Sequence, residues 1–474
     1  MAPEPFGGYT LVRKLATGGT ADIYLARRDG VEGFARHLAI KRILPNLAGD
    51  AAFVRLLLDE ARLAAHLHHP HIVQIHEVDL VESQAYIAME YLPGTDLGRL
   101  LREARRRTRR VVVAHPDVDV RTAIIQALCA QIRPLEVAPA ANATEIAARS
   151  ASGAIDLAIL APNFAENARD ALQAAHPELL RTLILGRGQG RGHGAYTLTT
   201  PLDDPEAIAS LAHGCLRPLM PLELAIQIVR AVTDALDYAH QACDYEGQPL
   251  HIVHRDINPS NVLVSMNGTV KLVDFGIARA ATSGGGRKRG FVGTYDYMSP
   301  EQTEGDDADA RSDLFSLGTL LHELVTGHHP YRGEEMFSTM RAIREDEPPG
   351  IEHKVPGLPV ALADIARRAG QKQPEARYPN AEAMLADLEH FVRREGLNLS
   401  PKRLAGFVRV IFGHEEVQRF GVTTTKFPAI RIEDVSTPVA ADDDDAREDD
   451  EVDASEDGET RIDGPPVAAR IGLL

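Results

Sequence analysis

The chain has 474 residues, 44% of them hydrophobic and 25% charged, which suits two or three cored domains and excludes a wholly disordered chain. The formal net charge of −17 is concentrated: residues 433–463 carry 15 acids and 2 arginines, a net of −13, which leaves −4 to the remainder. Without a domain-wide basic excess the composition argues against a dedicated nucleic-acid binder, and no apolar run reaches the roughly 18 residues that cross a bilayer.

Three cysteines, Cys129, Cys215 and Cys243, are too few for a disulfide framework. They fit a reducing compartment, as buried small apolar residues. The first residues lack the basic and apolar regions of a signal peptide. The expectation is a soluble cytoplasmic protein with no membrane and no nucleic-acid partner.

In chain order, residues 9–15 and 23–27 read as strands joined by Ala16-Thr17-Gly18-Gly19-Thr20-Ala21, and 37–42 as a third. Residues 51–66 place Phe53, Leu56, Leu57, Ala61 and Ala64 at helical spacing. Strands follow at 72–77 and 85–90. Residues 99–110 hold seven arginines, read as a solvated helix face running into a linker. The chain then alternates: strand 111–114, helix from about 118, strand 135–137, helix near Thr144, strand 157–160, helix near Ala168, strands 183–185 and 196–198, helix 203–215. Strands alternating with helices predict a separate α/β domain with a parallel sheet. Helices dominate after residue 220, beginning with 222–240. A β-rich part followed by an α-rich part predicts two lobes of one α+β unit. After Phe391 the chain is expected to leave that lobe. Ser400 then caps a helix with Pro401 at its first position, an apolar stripe of Leu404, Phe407, Val408, Ile411 and Phe412, and a stop at Gly413. The acidic run 442–459 reads as disordered.

Five motifs stand in order. They are Lys41 on a strand, Glu60 on the next helix, His254-Arg255-Asp256-Ile257-Asn258-Pro259-Ser260-Asn261, Asp274-Phe275-Gly276 eighteen residues after Asp256, and Ser299-Pro300-Glu301. In order and spacing they resemble the signature of the eukaryotic-like serine/threonine protein kinases of bacteria. The resemblance covers about residues 9–105 and 218–392. It implies an α+β bilobal protein-kinase fold, ATP with Mg2+ or Mn2+, and protein substrates phosphorylated in signalling. It implies that Lys41, held by Glu60, grips the α/β-phosphates, that Asp256 accepts the substrate hydroxyl proton, and that Asn261 and Asp274 ligate metal. The nucleotide would also meet Ala16, Gly18, Gly19, Ile23, Ala39, Leu263 and Asp96 (at the ribose). Met89 would stand at the back of the pocket, with Glu90 and Leu92 in the adenine-facing hinge. Asp313 would hold the catalytic loop and Arg377 would pair with Glu301. Pro259 and Thr294 match the serine/threonine pattern. Thr282, Ser283 and Thr294 are candidate phosphosites, with Arg255 of the type that pairs a phosphorylated segment.

There are departures. The first and third glycines of the family's loop are Ala16 and Ala21. Asn258 replaces the family's lysine beside the γ-phosphate, and losing one preorganised stabiliser costs ~10²–10³ in rate. The alternative reading is therefore a pseudokinase, an ATP-binding scaffold whose insert and tail recruit partners.

Glu60 and Asp256 are 196 residues apart, about twice the family's separation. The excess, 110–217, resembles a degenerate response-regulator receiver. His115-Pro116 stands where receivers keep acids, and Ala161 where they keep the phosphoacceptor. The expected layout is an N-lobe over 1–92, a C-lobe over 93–109 and 218–394, the insert, a helical extension over 395–432, and a tail over 433–474. The glycines of 186–194 imitate a dinucleotide loop, but a strand follows them, so no helix N-terminus awaits a phosphate. His66, His68, His69, His71 and His76 read as a helix–loop–strand joint.

Overall fold

The computed structural model describes residues 3–417 except 31–34, 83, 133, 152–154, 165–171, 173–180, 186–197, 201–203, 217, 276–294, 349 and 356. The acidic tail, Thr282, Ser283, Thr294, Gly276, the glycine run 186–194 and the helix expected near Ala168 lie outside the described residues.

Six antiparallel strands form the first sheet: β1 (Glu4–Phe6), β2 (Tyr9–Thr17), β3 (Ala21–Asp29), β4 (Ala35–Ile43), β5 (Ile75–Val81) and β6 (Gln84–Glu90), in the order β1-β2-β3-β4-β6-β5. Side chains alternate across it. Leu38 and Ile40 of β4 join Tyr24, Ala26, Tyr86 and Ala88 in one core. Ala39 and Lys41 therefore share the opposite face. Ile43 and Ile87 pack with Leu57, Leu58 and Ala61 of helix α2 (Ala51–Ala65), which follows the short α1 (Pro45–Ala48). Asp50 caps α2 through Ala52 N and Phe53 N, both at 3.1 Å. The strand expected at 72–77 begins only at Ile75. Ile72 bridges Leu272 and Val73 N donates to Leu272 O at 2.9 Å, so these residues give their backbone to the second lobe.

That lobe gathers α3 (Leu97–Arg106), with Leu97, Leu100, Leu101 and Ala104 on one buried stripe. Around it stand α7 (Leu222–His240), α9 (Ala310–Thr326) and α13 (Ala381–Glu395), sharing a core through Leu224, Ile228, Leu317, Leu321 and Phe391. A small sheet, β14-β13-β7, joins β7 (Gly94–Asp96), β13 (Val262–Ser265) and β14 (Val270–Leu272).

Between α3 and α7 lies a five-stranded parallel sheet: β8 (Arg109–Ala114), β9 (Leu135–Ala140), β10 (Leu157–Leu160), β11 (Arg181–Leu185) and β12 (Leu198–Thr200). Counted along the chain, the spatial order is 2-1-3-4-5. Val111 and Val113 face one core with Ile124 and Leu128 of α4 (Val118–Gln131) and with Ile208 and Ala212 of α6 (Pro205–Leu216). Val112 and Ala114 face a second core with Ile146 of α5 (Ala143–Ala151) and Leu172. Both faces are covered, as a wholly parallel sheet requires. The strand starts at Arg109, so the arginine segment is not the linker that composition suggested.

The arginine segment is solvated only in part, at Arg105 and Arg106. Arg105 reaches Glu323, Arg106 pairs with Glu103, Arg107 and Arg109 meet Asp156, and Arg110 meets Glu136. Of the cysteines only Cys215 is buried; Cys129 and Cys243 are exposed, because each falls on a solvent-facing position. Among the described residues no helix is long and apolar enough to cross a membrane.

The last helix, α14 (Pro401–Val417), turns at Gly413, where φ is 72°. It does not leave the lobe as expected. Leu404, Phe407, Val408 and Phe412 are buried in the same core as α3, with the Arg99 guanidinium 5.0 Å from the Phe412 ring. Gly268 makes this docking possible. Its φ is +79°, and a Cβ there would stand 1.8 Å from Pro401 O. Gly268→Ala should therefore lose more than about 1 kcal/mol of stability in urea unfolding; an unchanged midpoint would show that the turn adapts.

Candidate active site

The loop after α7 is built around one buried carboxylate. Asp313 of α9 is 1% exposed and accepts from His254 N (2.8 Å), Arg255 N (2.7 Å) and His240 Nε2 (2.8 Å). Arg255 then adopts φ 61°, a left-handed conformation that non-glycine residues hold only when their surroundings over-determine it. His254 is fully buried between Val273 O, at 3.0 Å, and the Phe275 ring. Burial lowers its pKa, so it stays neutral. Asn261 Nδ2 donates to Asp256 O at 2.8 Å and to Asp256 Oδ2 at 2.9 Å. The Asp256 carboxylate is thus held in place by Asn261.

Asn258, which stands where the family has lysine, lies inside the loop. It is 1% exposed, accepts from Ser260 N at 2.8 Å and donates to Asp256 O at 3.1 Å. A short polar side chain followed by proline caps the 3₁₀ turn Pro259–Asn261 instead of reaching outward.

Across from this loop, Lys41 Nζ lies 2.7 Å from Asp274 Oδ1. Asp274, like Arg255, has positive φ, at 55°. Glu60 is on α2, but its side chain is outside the described ones. Asn261, with its nitrogen committed to Asp256, offers its oxygen, and Asp274 its carboxylate. Such hard oxygen donors suit a divalent cation shared with phosphates. The residues therefore fit the groups the motifs imply.

An apolar cluster spans both lobes beside them: Leu15, Leu25, Val73, Leu92, Leu263 and Val273, with Ile23 and Met89 partly buried against it. Ala39 is buried nearby on β4. Ala16 and Ala21 are buried too. The Ala21 methyl packs with Ile43 and Leu57, which explains alanine where the family has glycine. Gly18 N bonds Ala21 O at 2.8 Å, so the Gly18-Gly19 turn stays tight. Glu90 uses its carboxylate on Lys271 at 2.9 Å. Asp96 is fully buried as the N-cap of α3, accepting from Arg99 N at 2.8 Å.

The Ser299-Pro300-Glu301 segment is anchored as expected. Arg377, its side chain 0% exposed, makes paired bonds to Glu301 at 2.7 and 2.8 Å. Burial alone would raise the Glu301 pKa, but the bonds from Arg377 and Ser312 and the guanidinium charge outweigh it and hold it at about 2. Sequence reasoning missed three contacts: Gln302 Nε2 to Arg255 O at 2.9 Å, His240 on Asp313, and the buried Glu323 between Arg105 and Tyr297. Only the oddity of an acid inside the apolar run of α9 signalled the last.

A profile of the family described as protein tyrosine and serine/threonine kinase matches residues 9–388. The tyrosine-protein kinase MasK of Myxococcus xanthus is 31% identical over 413 residues, 87% of this chain and 47% of its own length. The serine/threonine-protein kinase PknB of Mycobacterium leprae is 34% identical over 229 residues, 48% of this chain and 35% of its own. PknL of Mycobacterium tuberculosis, also a serine/threonine-protein kinase, is 37% identical over 171 residues, 36% of this chain and 41% of its own. The chain thus spans half or less of the length of these relatives. With a match across most of its length, this chain belongs to the protein tyrosine and serine/threonine kinase family.

Proposed function

We propose that the chain transfers the γ-phosphate of ATP to serine or threonine hydroxyls of protein substrates. What carries the reading is Asp256, bonded by Asn261 on a loop pinned by Asp313, facing a Lys41–Asp274 pair. The family implies ATP and a divalent cation. Mg2+, with Mn2+ as a substitute, suits the oxygens of Asn261 and Asp274 and neutralises phosphate charge when bound. Lys41 would turn from Asp274 to the α/β-phosphates, with Glu60 as its partner. Asp256 takes the proton of the attacking hydroxyl. The apolar cluster around Leu15 and Leu263 would sandwich the adenine, with Gly18 and Gly19 over the phosphates.

Purified protein with radiolabelled ATP, against an Asp256→Asn control, tests this directly. Phosphoserine or phosphothreonine in the product supports the acceptor class, which Pro259 favours. Phosphotyrosine, the acceptor in MasK's name, would overturn it. One observation favours the rival scaffold reading: Asn258 is committed inside the loop and brings no charge to the cleft. ATP binding without transfer would decide for it.

The insert, which we take as 110–217 between C-lobe segments 93–109 and 218–394, reads as a pseudo-receiver that spaces or binds partners. The 2-1-3-4-5 strand order supports this. So does Ala161, buried at the end of the third strand, where an acceptor carboxylate would otherwise stand. The acidic tail is a second candidate for partner binding. Three unpaired cysteines are in keeping with the cytoplasm. Joining residue 109 to 218 should leave a folded kinase that binds ATP, since Ala104 and Leu219 share one core while Val111 and Leu216 share another. A thermal melt with and without ATP reads this. Collapse of the fold would place the insert within the kinase core.

A further inference from the structure

The chain enters the insert from the end of α3, and the last turn of that helix is held from two sides. On one side, Arg105 Nη2 donates to Glu323 Oε1 at 2.6 Å and to Gly327 O at 3.3 Å. Glu323 is buried on α9, and its other oxygen accepts from Tyr297 OH. Tyr297 lies two residues before Ser299, and its carbonyl accepts from Ser316 Oγ at 2.6 Å. Gln302, just beyond, bonds the carbonyl of Arg255, the residue before Asp256, at 2.9 Å. Residues 295–302 therefore border the catalytic loop beside Asp256.

On the other side stands Asp156, 5% exposed, immediately before β10 of the insert. It takes the guanidinium of Arg107, that of Arg109 at 3.5 Å, and Arg110 N at 2.8 Å. Arg107 N in turn closes α3 onto Glu103 O at 3.1 Å. A helix end without such ties frays.

We propose that Asp156, a residue of the insert, is a positioning residue for the protein substrate. By fixing the last turn of α3 it keeps Arg105 on Glu323, and Glu323 keeps Tyr297 and the segment bordering the catalytic loop in place. The insert is thereby wired to substrate binding. Lys41, Asp274 and the apolar cleft stand on other elements, so nucleotide binding is spared. The proposal rests on the kinase reading above.

The test uses the full chain and a serine/threonine peptide that the wild type phosphorylates, selected from a synthetic array. Asp156→Ala should raise the peptide KM about fivefold or more, with kcat and the ATP KM within about twofold. Arg105→Ala leaves the insert untouched and should do the same, so the test survives if Asp156→Ala disturbs the insert. Combined, the two should be no worse than either alone. An unmoved peptide KM in Arg105→Ala, or additive effects in the double variant, would overturn the proposal while leaving the kinase reading intact. A wild type that phosphorylates no peptide in the array would overturn that reading, and this proposal with it.

Discussion

Asp256→Asn should lower phosphoryl transfer by about 10²–10⁴-fold, the usual contribution of a positioned general base. The substitution preserves shape, and the loop's anchor is elsewhere: Asp313 holds the backbone of His254 and Arg255. The fold should therefore survive. Asp274→Asn should fall as far, because it removes a full charge from both the cation's ligands and the partner of Lys41. Asparagine is the better probe than alanine at φ 55°, since it tolerates the left-handed region. Incorporation of labelled phosphate, beside a thermal melt, separates chemistry from folding. Residual transfer within about tenfold of wild type in either variant would sink the assignment.

Arg377→Ala should cost about 3–5 kcal/mol, the range for breaking a buried ion pair. Besides its paired bonds to Glu301, the guanidinium donates to Gln371 O at 2.7 Å, Lys372 O at 2.8 Å and Arg311 O at 3.0 Å. Alanine would leave Glu301 with Ser312 at 2.6 Å as its remaining side-chain donor, and three carbonyls unmatched. The cost should depend on pH. The folded-state pKa of Glu301 is about 2, below the ordinary 4.5. A depressed carboxyl stabilises fully above its unfolded pKa and loses that contribution as pH falls through the folded one. The gap between wild type and variant should thus be full at neutral pH and shrink from about pH 4.5 toward 2. Urea unfolding across that window reads it. A gap below about 1 kcal/mol at pH 7 would mean that the pair is replaced by water or by Arg311.

The two lobes were legible because each rests on local pattern. Alternation in 37–42 and helical spacing in 222–240 report which side of one element meets the core, and both elements formed where expected. The parallel sheet between them was legible for the same reason, from short apolar runs spaced by helices. The kinase family was legible from motifs, since chemistry restricts residue types at fixed spacing. The arginines of 99–110 were not. Composition sees seven like charges and reads a solvated face, whereas their partners Glu323 and Asp156 lie up to 218 residues away. The same limit hid the docking of α14, whose apolar stripe was plain but whose seat depends on Gly268 in a distant turn.

Asn258 and Asp96 mark the boundary most clearly. The family resemblance placed both at the cleft, and in the structure Asn258 Oδ1 accepts from Ser260 N and Asp96 Oδ1 from Arg99 N, each capping its own turn. Sequence alone determined the family and the layers of the fold, because periodicity and motif chemistry act over a few residues at a time. Only the tertiary structure decided which polar groups face the cleft and which hold the frame. That choice is made by burial: a polar side chain removed from water takes the nearest unsatisfied partner, and folding determines which partner is near.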